Sequence, residues 1–264
     1  MARPININAD LGEGFGAYTM GDDDALLKVV ASANVACGFH AGDPLVMTAT
    51  VRKAAANGVS IGAHPSFADL AGFGRRPIPT PPAEVEALVA YQIGALSAIA
   101  QANGTRVTHV KPHGALSNMA AVDEALASAI ARAIRAVDRE LIFLAVAGSA
   151  MARAGRAAGL RVAEEAFADR TYDDAGNLTS RKLPGSVLRD PALAVAHVLR
   201  MIEENALVSI TGKRLPARID SICVHGDEAT AVAVARAVRE AVAARGHAIV
   251  PLTQLPLDPP AAAA

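Results

Sequence analysis

Apolar runs of strand length alternate with alanine-rich amphipathic stretches along this chain. Seven of the runs lead straight into polar or reactive residues: INADLGEGFG from Ile7, NVACGFHAGDP from Asn34, SIGAHPSFADL from Ser60, HVKPHGALSN from His109, IFLAVAGS from Ile142, VAEEAFADR from Val162 and SICVHGDEAT from Ser221. The pattern predicts strands near 5–10, 33–39, 59–64, 107–112, 141–146, 161–165 and 220–225. Helices fit near 22–31, 44–57, 82–102, 122–138, 148–158, 190–205 and 228–244. Asp43-Pro44 and Asp190-Pro191 read as N-cap followed by an N1 proline, and Asn57-Gly58, Asn103-Gly104 and Gly159 as helix stops. Regular alternation of strand and helix implies an α/β fold with a mostly parallel sheet. Seven such units favour a distorted (β/α) barrel of about seven parallel strands over an open sheet, with a short run at 248–252 as a further closing strand. Closure would gather all the carboxyl ends on one face, so side chains far apart in sequence would share one pocket.

Alternation along each strand then sorts the side chains. Asn6, Asn8 and Asp10 share a face, against Ile5, Ile7 and Ala9. Asn34, Ala36, Gly38 and His40 fall together, as do His109, Lys111 and His113. The bulky apolar set should meet the helices, which leaves the polar set inside the barrel. Barrel interiors are ordinarily filled by Val, Ile and Leu, and buried polar groups cost free energy unless paired. So polar an interior points to use. Cys37 should face the helices, while Cys223 shares a face with His225.

Composition narrows the partners. The chain has 264 residues, 52% hydrophobic and 19% charged, with a net charge of −1. That is enough for one large core, a single domain over 1–257 with a tail at 258–264. Near-neutral charge gives no reason to expect nucleic acid or an anionic membrane. No apolar run reaches the ~20 residues of a membrane span, and the amino terminus lacks a signal-peptide stretch. Two cysteines suit the reducing cytoplasm. Two segments, 65–81 and 169–187, are long, polar and rich in Gly and Pro, and carry Arg75, Arg76, Arg170 and Arg181. Both follow strand ends, where they would screen a charged substrate.

Asp10, His40, His64 and His113 could bind a divalent cation, with Asp10, His40 and His64 the candidate ligands, or could serve as acids and bases. No HExxH signature supports the metal directly. The metal-free alternative makes Asp10 the general base and uses Lys111 and the histidines as polarising donors. A Ser-His-Asp hydrolase lacks its GxSxG elbow, and no GxxxxGK[ST] loop is present to bind ATP.

Taken together, SANVACGFHAGDP, GAHPSFADLAGFGRR, HVKPHGALSN, FADRTYDDAGNLTSR and ICVHGD closely resemble the LamB/YcsF family, over about Ile5 to Pro251. The departures are Asn6 where the family more often has an acid, Ala9 for cysteine, Ser66-Phe67 for Gly-Tyr and Ser117 for tyrosine. The resemblance implies a barrel related to the glycoside hydrolase/deacetylase fold. It also implies ATP-dependent opening of 5-oxoproline to L-glutamate, as the A subunit of a 5-oxoprolinase working with subunits B and C. On that reading Asp10, Glu13, His40, His64, Lys111 and His113 carry the chemistry. Asn8, Arg75, Asp169, Arg170, Arg181, His225 and Asp227 meet the substrate, and ATP is consumed by the complex. The alternatives are a stand-alone metal-dependent deacetylase or amidohydrolase, and a non-catalytic carrier.

Overall fold

A computed structural model describes residues 3–225 and 230–258. Seven parallel strands close into a barrel: β1 (Asn6–Leu11), β2 (Ser32–Ala36), β3 (Ser60–His64), β4 (Val107–Val110), β5 (Ile142–Val146), β6 (Arg161–Phe167) and β9 (Ser221–Val224), the last returning to pair with β1. Between β6 and β9 lies an antiparallel hairpin outside the barrel, β7 (Ala206–Val208) and β8 (Arg214–Pro216), which the sequence pattern did not reveal. Helices α1 (Asp23–Leu26), α2 (Pro44–Ala56), α3 (Pro82–Ala102), α4 (Gly114–Ala120), α5 (Glu124–Val137), α6 (Ala150–Ala157), α7 (Pro191–Glu204) and α8 (Ala231–Ala244) complete the order.

The predicted strand alternation holds around the barrel. Asn8 pairs in register with Ser32 and Cys223, Asp10 with Asn34, Gly62 with His109 and Glu165 with Ser221, so one continuous set of side chains points inward. The opposite set, including Ile7, Leu11, Val35, Cys37, Ile61, Val110 and Phe143, joins the helices in the main core. Each such aliphatic side chain, fully buried, contributes roughly 1.5–3 kcal/mol. Helix α3 shows how the outer layer works: Val85, Val89, Ile93, Leu96 and Ala100 form a buried stripe at steps of three and four residues. Its length and hydropathy alone would pass for a membrane span, contrary to the sequence expectation, although the buried stripe is that of a helix covering a barrel.

Caps set the helix ends as expected. Asp43 accepts from the amides of Leu45 and Val46, and Asp190 from that of Ala192. Three elements differ from the prediction. The helix expected at 22–31 is one turn, because the chain leaves it at Leu27 to bury Val29 and Val30 before β2. Ahead of the helix expected at 122–138, which is α5 capped by Asp123, the chain after β4 forms a short further helix, α4, that the pattern did not predict. The strand expected at 248–252 is a single bridge from Ile249 to Ile5, then a 3-10 turn at Leu252–Gln254. With β9 and β1 already paired the barrel has no free edge, and Pro251 could not donate to a ladder. This segment instead plugs the amino-terminal end, where Leu252 and Leu255 pack on Ile142, Leu144 and Ala163 inside the barrel.

Candidate active site

Lys111 is the hub at the carboxyl end of the interior. Its amide still bonds the carbonyl of Ala63, so the chain stays strand-like just past β4 and the side chain points inward. The ammonium lies 2.8 Å from Asp10 Oδ1, 2.9 Å from Cys223 Sγ, and 3.4 Å from both Glu165 Oε2 and Asn8 Oδ1. Asn34 donates to Asn8 Oδ1 and Asp10 Oδ1 at 2.8 and 2.9 Å, and His109 Nε2 sits 3.1 Å from Asn34 Oδ1. Burial opposes the charge on Asp10, but His64 and Lys111 outweigh it and hold this carboxyl well below its usual range. Burial likewise opposes the Lys111 charge and is outweighed, chiefly by Asp10, so the ammonium persists. For Glu165 burial wins over Lys111, and its carboxyl is raised. Burial also pushes the Cys223 thiol well up, which leaves it a hydrogen-bonding partner and not a nucleophile.

Three histidines and Glu13 gather beside this hub. His40 and His113 stack with ring centres 3.9 Å apart and planes 8° from parallel, and His64 meets both edge-on. Nε2 of His40 is 3.4 Å, and that of His113 3.7 Å, from Glu13 Oε1. Burial, reinforced by neighbouring imidazoles, pushes both rings well below the usual histidine range. They are therefore neutral at neutral pH, and their contacts with Glu13 are not ion pairs. His64 places Nδ1 2.6 Å from the Lys111 carbonyl, which requires a proton on Nδ1 and turns Nε2 into the site. That Nε2 is 3.3 Å from Asp10 Oδ2, yet poorly aligned for a hydrogen bond.

The backbone is shaped around these rings. Gly74 has φ +62°, and a Cβ there would stand 2.2 Å from Ser66 Oγ and 2.8 Å from His113 Nδ1. Phe73 beside it adopts φ 54°, an unfavourable conformation for a bulky residue, and lays its ring edge-on against His40 and His113. Gln92, fully buried on α3, bonds the amide and carbonyl of Ser66 at 2.9 and 2.8 Å and so fixes the loop carrying it.

On the far side, His225 Nδ1 lies 2.8 and 2.9 Å from the two Asp169 oxygens, and its ring stacks on Phe167. Burial disfavours the imidazolium, but Asp169 outweighs it and raises His225 above its usual value. Asp169 moves the other way: burial is overcome by His225 and the carboxyl is lowered.

A cavity of about 290 Å³ joins these groups, with Asp10, Glu13, His64, Arg75, Lys111, His113, Arg170, Arg181 and His225 on its walls. Both long segments reach it, through Arg75 on one side and Thr179, Ser180 and Arg181 on the other. Arg76 instead pairs with Asp69 at the surface. Arg170 donates to the carbonyls of Thr179 and Ser186, bracing the second segment, and burial together with Arg181 lowers it to about 10. Asn8 lies beneath the cavity, its amide saturated by Asn34, Glu165 and Ser221. Asp169 stands behind His225, and Asp227 falls outside the described residues. Glu165 and Gln92 were missed in sequence, although counting by twos along β6 from Ala163 turns Glu165 inward. A larger neighbouring groove of about 700 Å³ shares Asn118 and Leu178 with the cavity, but its walls are mostly apolar and bring together no acid, base or metal ligand.

The profile of the LamB/YcsF family matches residues 5–256. The chain is 56% identical over 251 residues to the 5-oxoprolinase A subunit of Rhodopseudomonas palustris (strain BisB5), covering 95% of this chain and 99% of that protein. It is 57% identical over 251 residues to the 5-oxoprolinase A subunit of Azoarcus sp. (strain BH72), covering 95% and 98%. The crystal structure of a lactam utilization protein from Thermus thermophilus superposes with a TM-score of 0.87 at 45% identity, over 94% of this chain and 99% of that one.

Proposed function

As the chain belongs to the LamB/YcsF family, we propose that it is the hydrolytic A subunit of a 5-oxoprolinase, opening the lactam of 5-oxoproline to L-glutamate. The observation that carries this reading is identity above one half, across 95% of the chain, with proteins of that name. The cavity supports it with paired acid and base groups and a cluster of arginines sized for a small anion.

A lactam carbonyl is a poor electrophile because attack must break amide resonance. Phosphoryl transfer from ATP to its oxygen would give an imidate phosphate, a far better one. This sequence has no P-loop, so that step falls to partner subunits B and C. The activated ring would then bind here, with Arg75, Arg170 and Arg181 meeting phosphate and carboxylate. A water oxygen bonds to the ring carbon as Asp10 orients the water and takes its proton. Asp10 is a weak base at its depressed value, which suits late proton transfer during attack on an already activated carbon.

The adduct carries two leaving groups on one carbon. Loss of phosphate regenerates the lactam and undoes the activation. Loss of nitrogen opens the ring. His225, kept protonated by Asp169, gives its proton to the ring nitrogen and so selects the C–N bond. Lys111 balances the negative charge on the phosphate oxygens, and the neutral His113 donates a hydrogen bond to them. A second water then converts the acyl phosphate to L-glutamate and phosphate. Two buried, free cysteines fit a reducing cytoplasm.

The test is glutamate release from 5-oxoproline and ATP with the purified chain, with and without subunits B and C. Release only with all three proteins and ATP is expected. Release of acetate from an N-acetylated sugar by the isolated chain would instead establish a deacetylase.

A further inference from the structure

The geometry points to a binding site for one borderline transition-metal dication, such as zinc, held by Glu13, His40, His64 and His113. Each of these buried side chains offers a ligand atom, and all four atoms lie within 4.8 Å of one another. Ligands at about 2.0–2.1 Å from a tetrahedral zinc stand roughly 3.4 Å apart, so movements of an ångström or less would enclose an ion.

Two features distinguish this cluster from satisfied core histidines. Among the described residues, four buried side-chain nitrogens or oxygens lack a hydrogen-bond partner, and His40 Nδ1 and His64 Nε2 are two of them. His64 is also oriented as a ligand: the Lys111 carbonyl holds the proton on Nδ1, and Nε2 faces the site without a hydrogen-bond partner. That Nε2 stands 3.3 Å from the Asp10 carboxylate without an aligned hydrogen bond to it. Lys111 answers the other oxygen of Asp10, but nothing answers His64 Nε2, and a cation in the cluster would do so.

Donor chemistry selects the ion. Three imidazoles and one carboxylate suit zinc, cobalt or nickel, whereas magnesium and calcium require oxygen-rich sites. Glu13, His64 and His113 line the cavity, so the ion would keep one side open to it. The other candidate group, Asp10, Cys223 and His225, is a poorer host, because the Lys111 ammonium sits 2.9 Å from its sulfur and would repel a cation.

Cobalt(II) is the probe. The full chain is stripped with a chelator, titrated with cobalt chloride, and examined by elemental analysis and visible absorption. The expected result is one ion per chain, d–d bands of a nitrogen-rich site, and displacement by zinc. His64→Gln and the conservative Glu13→Gln should each weaken binding by at least about 100-fold, since even supporting groups around a metal matter by 10–100-fold. Cys223→Ser should bind like the parent. Failure of the folded parent chain to take up cobalt would overturn the site. A sulfur-to-cobalt charge-transfer band lost in Cys223→Ser would overturn it too, by moving the ion to the other group. Uptake is read without turnover, so either result stands apart from the substrate assignment.

Discussion

At the plugged end of the barrel, Asn6 donates to Ser32 Oγ and to the Val250 carbonyl, both at 2.8 Å, and accepts from Ser221 at 2.7 Å. Ser32 in turn contacts Ser60 at 2.7 Å. At the open end, a few residues further along the same strands, stand Asp10, Lys111, Glu165 and the histidine cluster. Both ends are buried and both are polar. The plugged end is neutral and closed on itself, each side chain answered by another or by the backbone. The open end holds several charges on one lysine and leaves two imidazole nitrogens unanswered. Burial therefore does not separate structure from chemistry in this barrel. What separates them is whether the polar groups satisfy one another without help.

If that distinction is right, substitutions at the two ends should fail differently. The largest effect is expected for Lys111→Met, which strands Asp10 and Glu165 as buried carboxylates. Stability should fall by roughly 3–5 kcal/mol in urea melts, with turnover abolished. Adding Glu165→Gln should restore part of the stability and none of the turnover. If Lys111→Met alone melted like the parent, the hub would be misassigned.

Asp10→Asn removes one charge and keeps the shape. ATP-coupled glutamate release should drop by about 10³-fold, within the range for loss of a general base, while the melting temperature stays level or rises. Full activity in a folded Asp10→Asn protein would eliminate Asp10 as the base.

Asp169→Asn should be milder, on the order of 10–100-fold in kcat. Its signature is the pH profile. Asp169 raises His225, so the acid form survives to higher pH, and activity declines as pH rises through that raised value. Stability from the pair follows the same sign, full below the ordinary histidine value and lost on the alkaline side. In Asp169→Asn the alkaline limb should move to lower pH. An unmoved limb would assign it to another group.

The smallest effect on catalysis should come from Asn6→Ala at the plugged end. It leaves the Ser221 hydroxyl without its acceptor and the Val250 carbonyl without its side-chain donor, costing roughly 1–3 kcal/mol of stability, with kcat per folded molecule unchanged. A large loss of kcat at parental stability would erase the contrast between the ends.

Much of this was readable in sequence, for a physical reason. A strand repeats every two residues and a closed parallel barrel puts every carboxyl end on one side, so Asp10, Lys111, His109 and Asn34 could be turned inward by counting. Glu165 obeys the same count but stands next to Glu164, which faces outward to Arg156 and to the Gly148 amide. Two adjacent glutamates conceal which one is buried. Counting stops where strands stop. Glu13 and His40 reach the cluster through loops set by Gly12, Gly38 and Gly42, all at positive φ, and no period describes them. Of the set the sequence offered for a cation, Asp10, His40, His64 and His113, the three histidines gather in one cluster, and the carboxylate that joins them is Glu13, which the sequence did not offer as a ligand. The plug at 249–257 was hidden because its apolar spacing imitates a strand, and only the occupied edge of β1 rules that out.

The plug also bears on how the protein is made. Its contacts with β1 join residues 244 positions apart, and Ile5 bonds both Ala248 and Val250. During synthesis the first strand emerges with nothing to seal its lower side until some 244 further residues have followed it. The ring of Asn6, Ser32 and Ser221 must stay wet, and the barrel unlatched, until then. Contacts of such long sequence separation form slowly. A nascent chain stalled before Ala248 should therefore remain sensitive to protease, and become resistant only once residues 248–257 are free to dock.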